Sequence, residues 1–460
     1  MKNKIVSVIA ALAVITLLSG SGKEKFCTTY SIALNKVGKT YDGQWQGIVA
    51  ASDGACYFGS SSHSLEHGGG FFRFDPKTKQ FDVLAEDLTQ LVGDDITKNT
   101  PQGKCHSPII EIDGTLYLST HLAAYWDDVL DKYAGSYILS YNMAEKKWRN
   151  YGIVKPRFST YSAVEVDAKR GKIYAMIVPF APQDKAVDGN HLFQIDIKSG
   201  EKRDLGRVSD GKGTFWFYLD NTGKLWFPIW QGSNKLHCYN PEKDEITTYD
   251  NAFPEPKLAP DGTPVKKAHF ASLCWTWTKA IDNGKKCLFT MGDNGGGDER
   301  LWEFDPSKSI ASKEAFKPIC YVGSTFLSVA VGGNRVYYIQ RGDITTSRDY
   351  ETEDYRDTPP DKNGYHINNL HLKSVALDPN DPHRFIDHGR IIDQDGRTPA
   401  YIASLASDDK GNIFMDGGWL IKPGDQPTLQ FQYKAKDGKE YKALNRGEFF
   451  AWVNITNDLK

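Results

Sequence analysis

The sequence predicts an all-β chain closed into a seven-bladed β-propeller, and three observations carry that prediction. A glycine-bearing turn, followed within a few residues by an aromatic residue, recurs at Gly54…Tyr57, Gly114…Tyr117, Gly171…Tyr174, Gly223…Trp226, Gly284…Phe289, Gly333…Tyr337 and Gly411…Phe414. A strand end running into a polar turn trails each of these, as in Phe74-Asp75-Pro76-Lys77, Tyr239-Asn240-Pro241-Glu242 and Phe304-Asp305-Pro306-Ser307. Two alternating hairpin signals per unit make seven four-stranded units. No segment sustains a helical apolar period, which excludes an α/β fold.

In chain order, residues 1–22 read as a targeting segment. Lys2 and Lys4 precede the apolar run Ile5–Leu18, which is too short for a membrane span. Leu18-Ser19-Gly20-Ser21 has the form of a bacterial lipoprotein signal with Ser21 where the lipid-bearing cysteine would stand. The mature chain is therefore expected outside the cytoplasm, in the periplasm or cell envelope. Residues 23–460 form one propeller domain, with blades near 43–85, 104–150, 159–206, 212–250, 269–320, 324–390 and 398–450. The polar insert Asp343–Asn369 reads as a surface loop or lid. Two segments, 27–37 and Gly447–Ile455, compete to complete the last blade and close the ring.

Composition narrows the function. A net charge of -2 supplies no basic field for nucleic acid, and no protein partner is evident. The 11 Trp, 23 Tyr and 23 Phe pack cores, and in an open groove they also stack on sugar rings. Seven cysteines are an odd number without any CxxC, so buried thiols are expected, with one bridge at most.

The stretch from Lys104 to His121 concentrates the chemistry. A two-residue turn at Asp113-Gly114 sets Ile112 opposite Thr115, Ile110 opposite Tyr117 and His106 opposite His121. Two imidazoles on one face, about 4.5–5.5 Å apart at Cβ, suit acid/base work, metal ligation or structural hydrogen bonding. Aligning the turns brings further residues to the same mouth: Trp45 and Gln46, His63, Arg157 with Tyr161, Trp230, and Arg341. No cofactor is required. Calcium is the one cation with dense oxygen ligands, at Asp293, Asn294 and Asp298, although they lack the spacing of an EF-hand loop.

A polar, aromatic-rimmed mouth suits a carbohydrate. A glycoside hydrolase needs two carboxyl groups flanking the scissile bond, and the mouth is poor in carboxylates outside blade five. A uronate lyase needs a group that neutralises the sugar carboxylate, a base for the C5 proton and an acid for the departing O4. Gln46, His106, His121, Tyr161 and Arg341 fill that set better.

The run Gly103-Lys104-Cys105-His106-Ser107-Pro108 leading to Leu118-Ser119-Thr120-His121, with Tyr41-Asp42-Gly43-Gln44-Trp45-Gln46-Gly47 opening blade one, resembles the propeller polysaccharide lyases of oligogalacturonate and ulvan. It looks closest to a group of L-rhamnose-α-1,4-D-glucuronate lyases and α-L-rhamnosidases acting on arabinogalactan and gum arabic side chains. The resemblance implies that His106, His121 and Tyr161 are catalytic, and that the partner is a glycan containing uronic acid and rhamnose. The rhamnosidases of that group carry a histidine where this chain has Gln46, which cannot exchange protons and so tilts the reading toward the lyase. Where related ulvan lyases place an arginine, this chain has Met176-Ile177-Val178, so Arg157 or Arg341 would substitute. The expectation is a lyase that removes terminal rhamnose from glucuronate, with Trp45, Gln46, His63, Arg157, Trp230 and Arg341 holding the sugar. The alternatives are an α-L-rhamnosidase and a non-catalytic glycan-binding propeller.

Overall fold

Every turn glycine of the repeat sits in the left-handed region, from φ 58° at Gly333 to 87° at Gly223. This is backbone that a residue without Cβ adopts at no steric cost. At the Asp113-Gly114 turn both residues have positive φ, 47° and 74°, which is the tight hairpin that pairs Ile112 with Thr115. Nothing lies within 4 Å of a Cβ built on Gly114. Gly114→Ala is therefore expected to cost only backbone strain, about 1–2 kcal/mol, read as a lower midpoint in chemical denaturation. A much larger loss would contradict this open turn.

The computed structural model describes residues 24–36, 39, 41–43, 46–125, 127–180, 189–209, 214, 216–229, 234–254, 274–292, 300–322, 328–341, 370–421, 429–434, 440–444 and 448–459. The targeting segment and the insert 343–369 lie outside them. Five separate four-stranded antiparallel blades follow the repeat, each pairing its strands in chain order. Blade one holds Ile48–Ala50, Cys56–Ser60, Gly70–Asp75 and Gln80–Ala85. Blade two holds Ile110–Ile112, Thr115–Ser119, Tyr137–Asn142 and Lys147–Ile153. Blades three to five run from Phe158–Asp167 to Lys202–Ser209, from Tyr218–Leu219 to Glu245–Asp250, and from Cys274–Ile281 to Phe316–Tyr321. The described α-helices are two short ones, Leu88–Val92 and Asp127–Leu130.

The remainder departs from the expected pattern of separate blades. Val329–Gly332, Arg335–Arg341, Leu370–Ala376 and Phe385–Asp393 continue through Phe26–Ala33 into Glu448–Asn454, Asn412–Ile421 and Thr398–Ser407 as one eight-stranded sheet. The cause is the N-terminal strand. Its first half, Phe26 to Thr29, pairs in parallel with Arg390 to Asp393, and its second half, Tyr30 to Ala33, pairs antiparallel with Trp452 to Phe449. The two segments that competed to close the ring are both used, side by side.

Apolar clusters sit between consecutive sheets. Tyr57 and Phe71 of blade one pack with Leu116 and Leu139 of blade two. Tyr337 and Leu372 pack against Leu405, Met415 and Phe449, so the two halves of the eight-stranded sheet face each other. Phe58 and Phe72 meet Phe414 and Phe450, with the Phe58 and Phe450 rings stacked at 4.4 Å, so the last sheet closes onto the first. Each aromatic buried this way is worth about 1.5–3 kcal/mol of transfer free energy. The inner strands surround a channel of about 420 Å³ whose lining includes Gln46, Glu111, Glu165, Tyr218, Lys279 and Val331. Cys27, Cys56, Cys105, Cys238, Cys287 and Cys320 are buried free thiols.

Candidate active site

The histidine hairpin keeps its predicted register only near the turn. Ile110 pairs with Tyr117, but His121 exchanges both backbone hydrogen bonds with Lys104 rather than with His106. Pro108 has no N–H to continue the ladder. The Ser107 hydroxyl accepts the Ser119 N–H at 2.9 Å instead, which inserts two residues into this side of the hairpin. The pairing of His106 opposite His121 is thereby corrected. Their rings still meet edge to face, with centroids 5.1 Å apart.

Gly103 makes the approach possible. A Cβ there would fall 2.3 Å from the Ser62 carbonyl oxygen and 2.4 Å from the Ala123 Cα. That close packing ties blade one to blade two at the mouth and brings Lys104 inward, where it is 1% exposed. The Lys104 ammonium lies 4.3 Å from the centroid of the Tyr125 ring. Tyr125 comes from the excursion between the second and third strands of blade two, whose Leu122, Leu130 and Tyr133 form their own small core.

His121 is wholly buried, and its tautomer follows from its partners. Nδ1 lies 3.2 Å from the Thr160 carbonyl, which can only accept, and 2.5 Å from the Ser159 hydroxyl. Nδ1 therefore carries the proton, and Nε2 accepts the Tyr125 hydroxyl at 2.6 Å. Burial, reinforced by His106 and by the Lys104 charge, holds His121 well below the usual imidazole range. Burial and Lys104 likewise bring His106 down to about 3. Both rings are neutral at physiological pH, the form in which an imidazole accepts a proton.

His63 stands beside this pair. Its Nδ1 lies 2.9 Å from Asp42 Oδ1. Burial raises the Asp42 carboxyl, but His63 and Lys104 outweigh it and hold the group below the usual carboxylate range. Neutral buried histidines make an acid-labile fold. A histidine with a depressed native pKa contributes stability above 6.5 that is lost as pH falls toward about 3. Unfolding free energy is expected to fall below pH 6.5, by up to about 1.4 kcal/mol per pH unit for His106, and His106→Gln should flatten that slope in pH-resolved denaturation.

Of the residues expected at the mouth, His63, His106 and His121 come together. Gln46 sits at the rim of the axial channel with φ 70°, its N–H on the Ser404 hydroxyl at 2.9 Å. Arg157 meets Asp131, with 3.5 Å between charged atoms. Tyr161 and Arg341 lie on strands, but their side chains, like Trp45, Trp230 and the Asp293–Asp298 segment, lie outside what is described. Lys104, Asp42 and Tyr125 were not singled out in sequence. Lys104 and Asp42 stood inside quoted motifs, whereas Tyr125 carried no local signal.

A second polar feature lies behind Asp42. Asp416 and Glu448 are both wholly buried. Glu448 Oε2 accepts the Ser60 hydroxyl at 2.6 Å and the Gly43 N–H at 3.1 Å. Burial, and for Glu448 the neighbouring Asp416 charge, pushes both carboxyls well above their usual range, and both Asp416 oxygens and Glu448 Oε1 are buried without a hydrogen-bond partner. Among the described residues no group of three or more His, Cys, Asp or Glu side chains is placed to hold a metal ion.

No family model matches the chain, and no curated protein matches it. Its fold is shared with solved structures. The GH74 enzyme of Niastella koreensis superposes with a TM-score of 0.50 at 12% identity, over 91% of this chain and 59% of that one. An oligogalacturonate lyase in complex with manganese gives 0.48 at 11% identity, over 92% and 91% of the two chains. An oligogalacturonate lyase from Vibrio parahaemolyticus gives 0.47 at 9% identity, over 92% of both. At these identities the likeness is one of fold. What fold and site define together is an all-β, propeller-like protein with a buried, neutral histidine pair beside a buried lysine.

Proposed function

We propose that the chain is a seven-bladed propeller lyase that removes terminal rhamnose from glucuronate by β-elimination, exported to the periplasm or cell envelope. The seven-blade reading divides the eight-stranded sheet at the N-terminal strand, which then serves as the outer strand of the last blade. Support comes from the two halves of that sheet packing face to face, and from the seven inner strands that contribute to the channel lining.

The observation that carries the chemical reading is the constellation of two neutral imidazoles, a tyrosine hydroxyl and an ammonium within one mouth. In the elimination the C5 proton passes to a base, its electron pair becomes the C4–C5 double bond, and O4 leaves with the C4–O4 pair and gains a proton. His106 and His121 are read as the base and acid, or as one acting group and one that orients the sugar, with Tyr161 assisting. Gln46, His63 and the arginines hold the sugar. Asp416 and Glu448 do not favour hydrolysis, because they are sealed from solvent on adjacent strands of one sheet rather than facing each other across an open cleft.

One observation favours a second reading, a non-catalytic glycan-binding propeller: His106 is 5% exposed and His121 0%. Incubation with a rhamnose-capped glucuronate oligosaccharide separates the two. The lyase reading expects released rhamnose together with ultraviolet absorbance from the 4,5-unsaturated uronate. Rhamnose without that absorbance means an α-L-rhamnosidase. Binding without either product leaves the glycan-binding propeller.

A further inference from the structure

His121 ends a chain of buried hydrogen bonds that runs from blade three back to the link between blades one and two. Ser159, on the first strand of blade three, lies against its Nδ1. Ser159 meets the Ser136 hydroxyl at 3.1 Å, and Ser136 meets the Tyr133 hydroxyl at 3.0 Å. Tyr133 then reaches Gln102 Oε1 at 3.0 Å. Gln102, Ser136 and Ser159 are 0% exposed and Tyr133 3%, so the whole chain is shielded from bulk solvent. Its direction is decided at the far end. Gln102 Nε2 lies 3.1 Å from the Gly135 carbonyl and 3.2 Å from Asp94 Oδ2. A carbonyl can only accept, so the amide NH₂ points there. Oε1 then points inward and takes the Thr120 hydroxyl at 2.7 Å together with that of Tyr133. Each hydroxyl has one proton to give. Tyr133 gives its proton to Gln102 and so accepts from Ser136. Ser136, which also takes the Thr160 N–H at 2.7 Å, accepts from Ser159, and Ser159 accepts from His121 Nδ1–H.

We infer that Gln102 is a positioning residue that sets the tautomer of His121 through Tyr133, Ser136 and Ser159, and that His121 is thereby the base of the elimination. The second half rests on the uronide lyase reading above, and the first does not. With its proton on Nδ1, His121 can take a proton at Nε2 but has none to give there. A histidine held in the wrong tautomer loses most of its base catalysis. The Thr160 carbonyl favours the same tautomer, but at 3.2 Å it is the longer of the two Nδ1 contacts. Reversed, the chain would run from Ser136 to Ser159 to Nδ1 and leave the proton on Nε2. Gln102 is the acceptor that opposes this reversal, because it holds the Tyr133 proton pointing away from Ser136. An amide does not relay protons, so the chain positions the imidazole and does not conduct.

The test is nitrogen NMR at neutral pH on histidine-labelled protein, with the His121 signals identified by their loss in His121→Gln. The wild-type chain is expected to show a protonated Nδ1 and an unprotonated Nε2. Tyr133→Phe deletes a single oxygen and touches neither the imidazole nor the sugar. It frees the Ser136 proton for Ser159 and the Ser159 proton for Nδ1, so a second population protonated at Nε2 is expected. The kcat of elimination should fall about two- to tenfold with KM unchanged, the bias that one hydrogen bond supplies. Gln102→Met should give the same mixture, and if it does not fold, Tyr133→Phe carries the test. Thr120→Val removes another bond to Gln102 Oε1, off the path to Nδ1, and should keep the wild-type signals. An equal shift in Thr120→Val would mean general loosening and overturn the inference. A wild-type His121 protonated at Nε2, or an unchanged tautomer in Tyr133→Phe, overturns it as well. Mixed tautomers with wild-type kcat would remove His121 as the base. The two readings fail separately. The expected tautomers without any elimination overturn the lyase and leave Gln102 positioning His121. Elimination with an unmoved tautomer in Tyr133→Phe does the reverse.

Discussion

His121→Ala is expected to lower the elimination rate by about 10²–10⁴-fold, the usual contribution of a positioned proton-transfer group. The same substitution should destabilise the chain. His121 is 0% exposed and links the Tyr125 hydroxyl to Ser159 and the Thr160 carbonyl, while its ring packs against His106 and Phe180. Removing it takes a partner from each of those groups, at about 1–3 kcal/mol for any buried group left unpaired. Activity and stability must therefore be measured on the same preparation, by product absorbance and by denaturant titration. A folded His121→Ala variant with wild-type turnover would remove this histidine from the mechanism. His106→Ala makes a useful comparison, because its ring packs against the same His121 from the less buried side, at 5% exposure against 0%.

The second large effect concerns the ring closure. Glu448→Gln is expected to stabilise the chain at neutral pH. Asp416 and Glu448 are buried on adjacent paired strands, and both native carboxyls are raised above their ordinary values of 3.8 and 4.5. A raised acid binds a proton in the native state that the unfolded chain has released. Its stability contribution is complete below those ordinary values and declines as pH rises. The glutamine amide oxygen can keep the Ser60 and Gly43 bonds, and its NH₂ offers Asp416 a permanent donor. A gain of about 1–3 kcal/mol follows from pairing the buried group without proton uptake. The slope of stability against pH should flatten on the alkaline side. Asp416→Ala should flatten the same slope, because it removes one raised acid and the charge that helps raise the other. A Glu448→Gln variant that is less stable throughout, with an unchanged slope, would rule out a raised acid at position 448.

The repeat was legible because its punctuation is local. Seven turn glycines predicted hairpin tips, and all seven adopt left-handed φ. The limits of the five separate blades follow within several residues, whereas the last two expected blades join in one eight-stranded sheet. What sequence spacing missed was set by groups far apart in the chain. The His106–His121 register slipped by two residues because Ser107 and Pro108 interrupt the ladder, although both residues were in view. Tyr125 reaches the site through an excursion with its own core, and no periodicity announces it. Asp416 and Glu448 lie on neighbouring strands separated in sequence by a hairpin, Leu429–Lys434 with Glu440–Leu444, so their pairing is a tertiary event. The resemblance pointed to Arg157 and Arg341 as the cations of the site, whereas folding places Lys104 beside the histidines.

The doubly paired strand Phe26–Ala33 also sets an order of events in time. Its partners, Arg390–Asp393 and Phe449–Trp452, are among the last strands to be made, although it is itself the first. Until they exist, the strand has no edge to join, and closing so long a loop is slow relative to forming local hairpins. The blades can assemble one after another as they are synthesised, but the circle cannot. During that interval the first and last sheets of the nascent stack present bare apolar faces to any other unfinished chain, the condition under which β-rich proteins aggregate. Yield on refolding should therefore depend on protein concentration, even for a chain whose finished form is a closed ring.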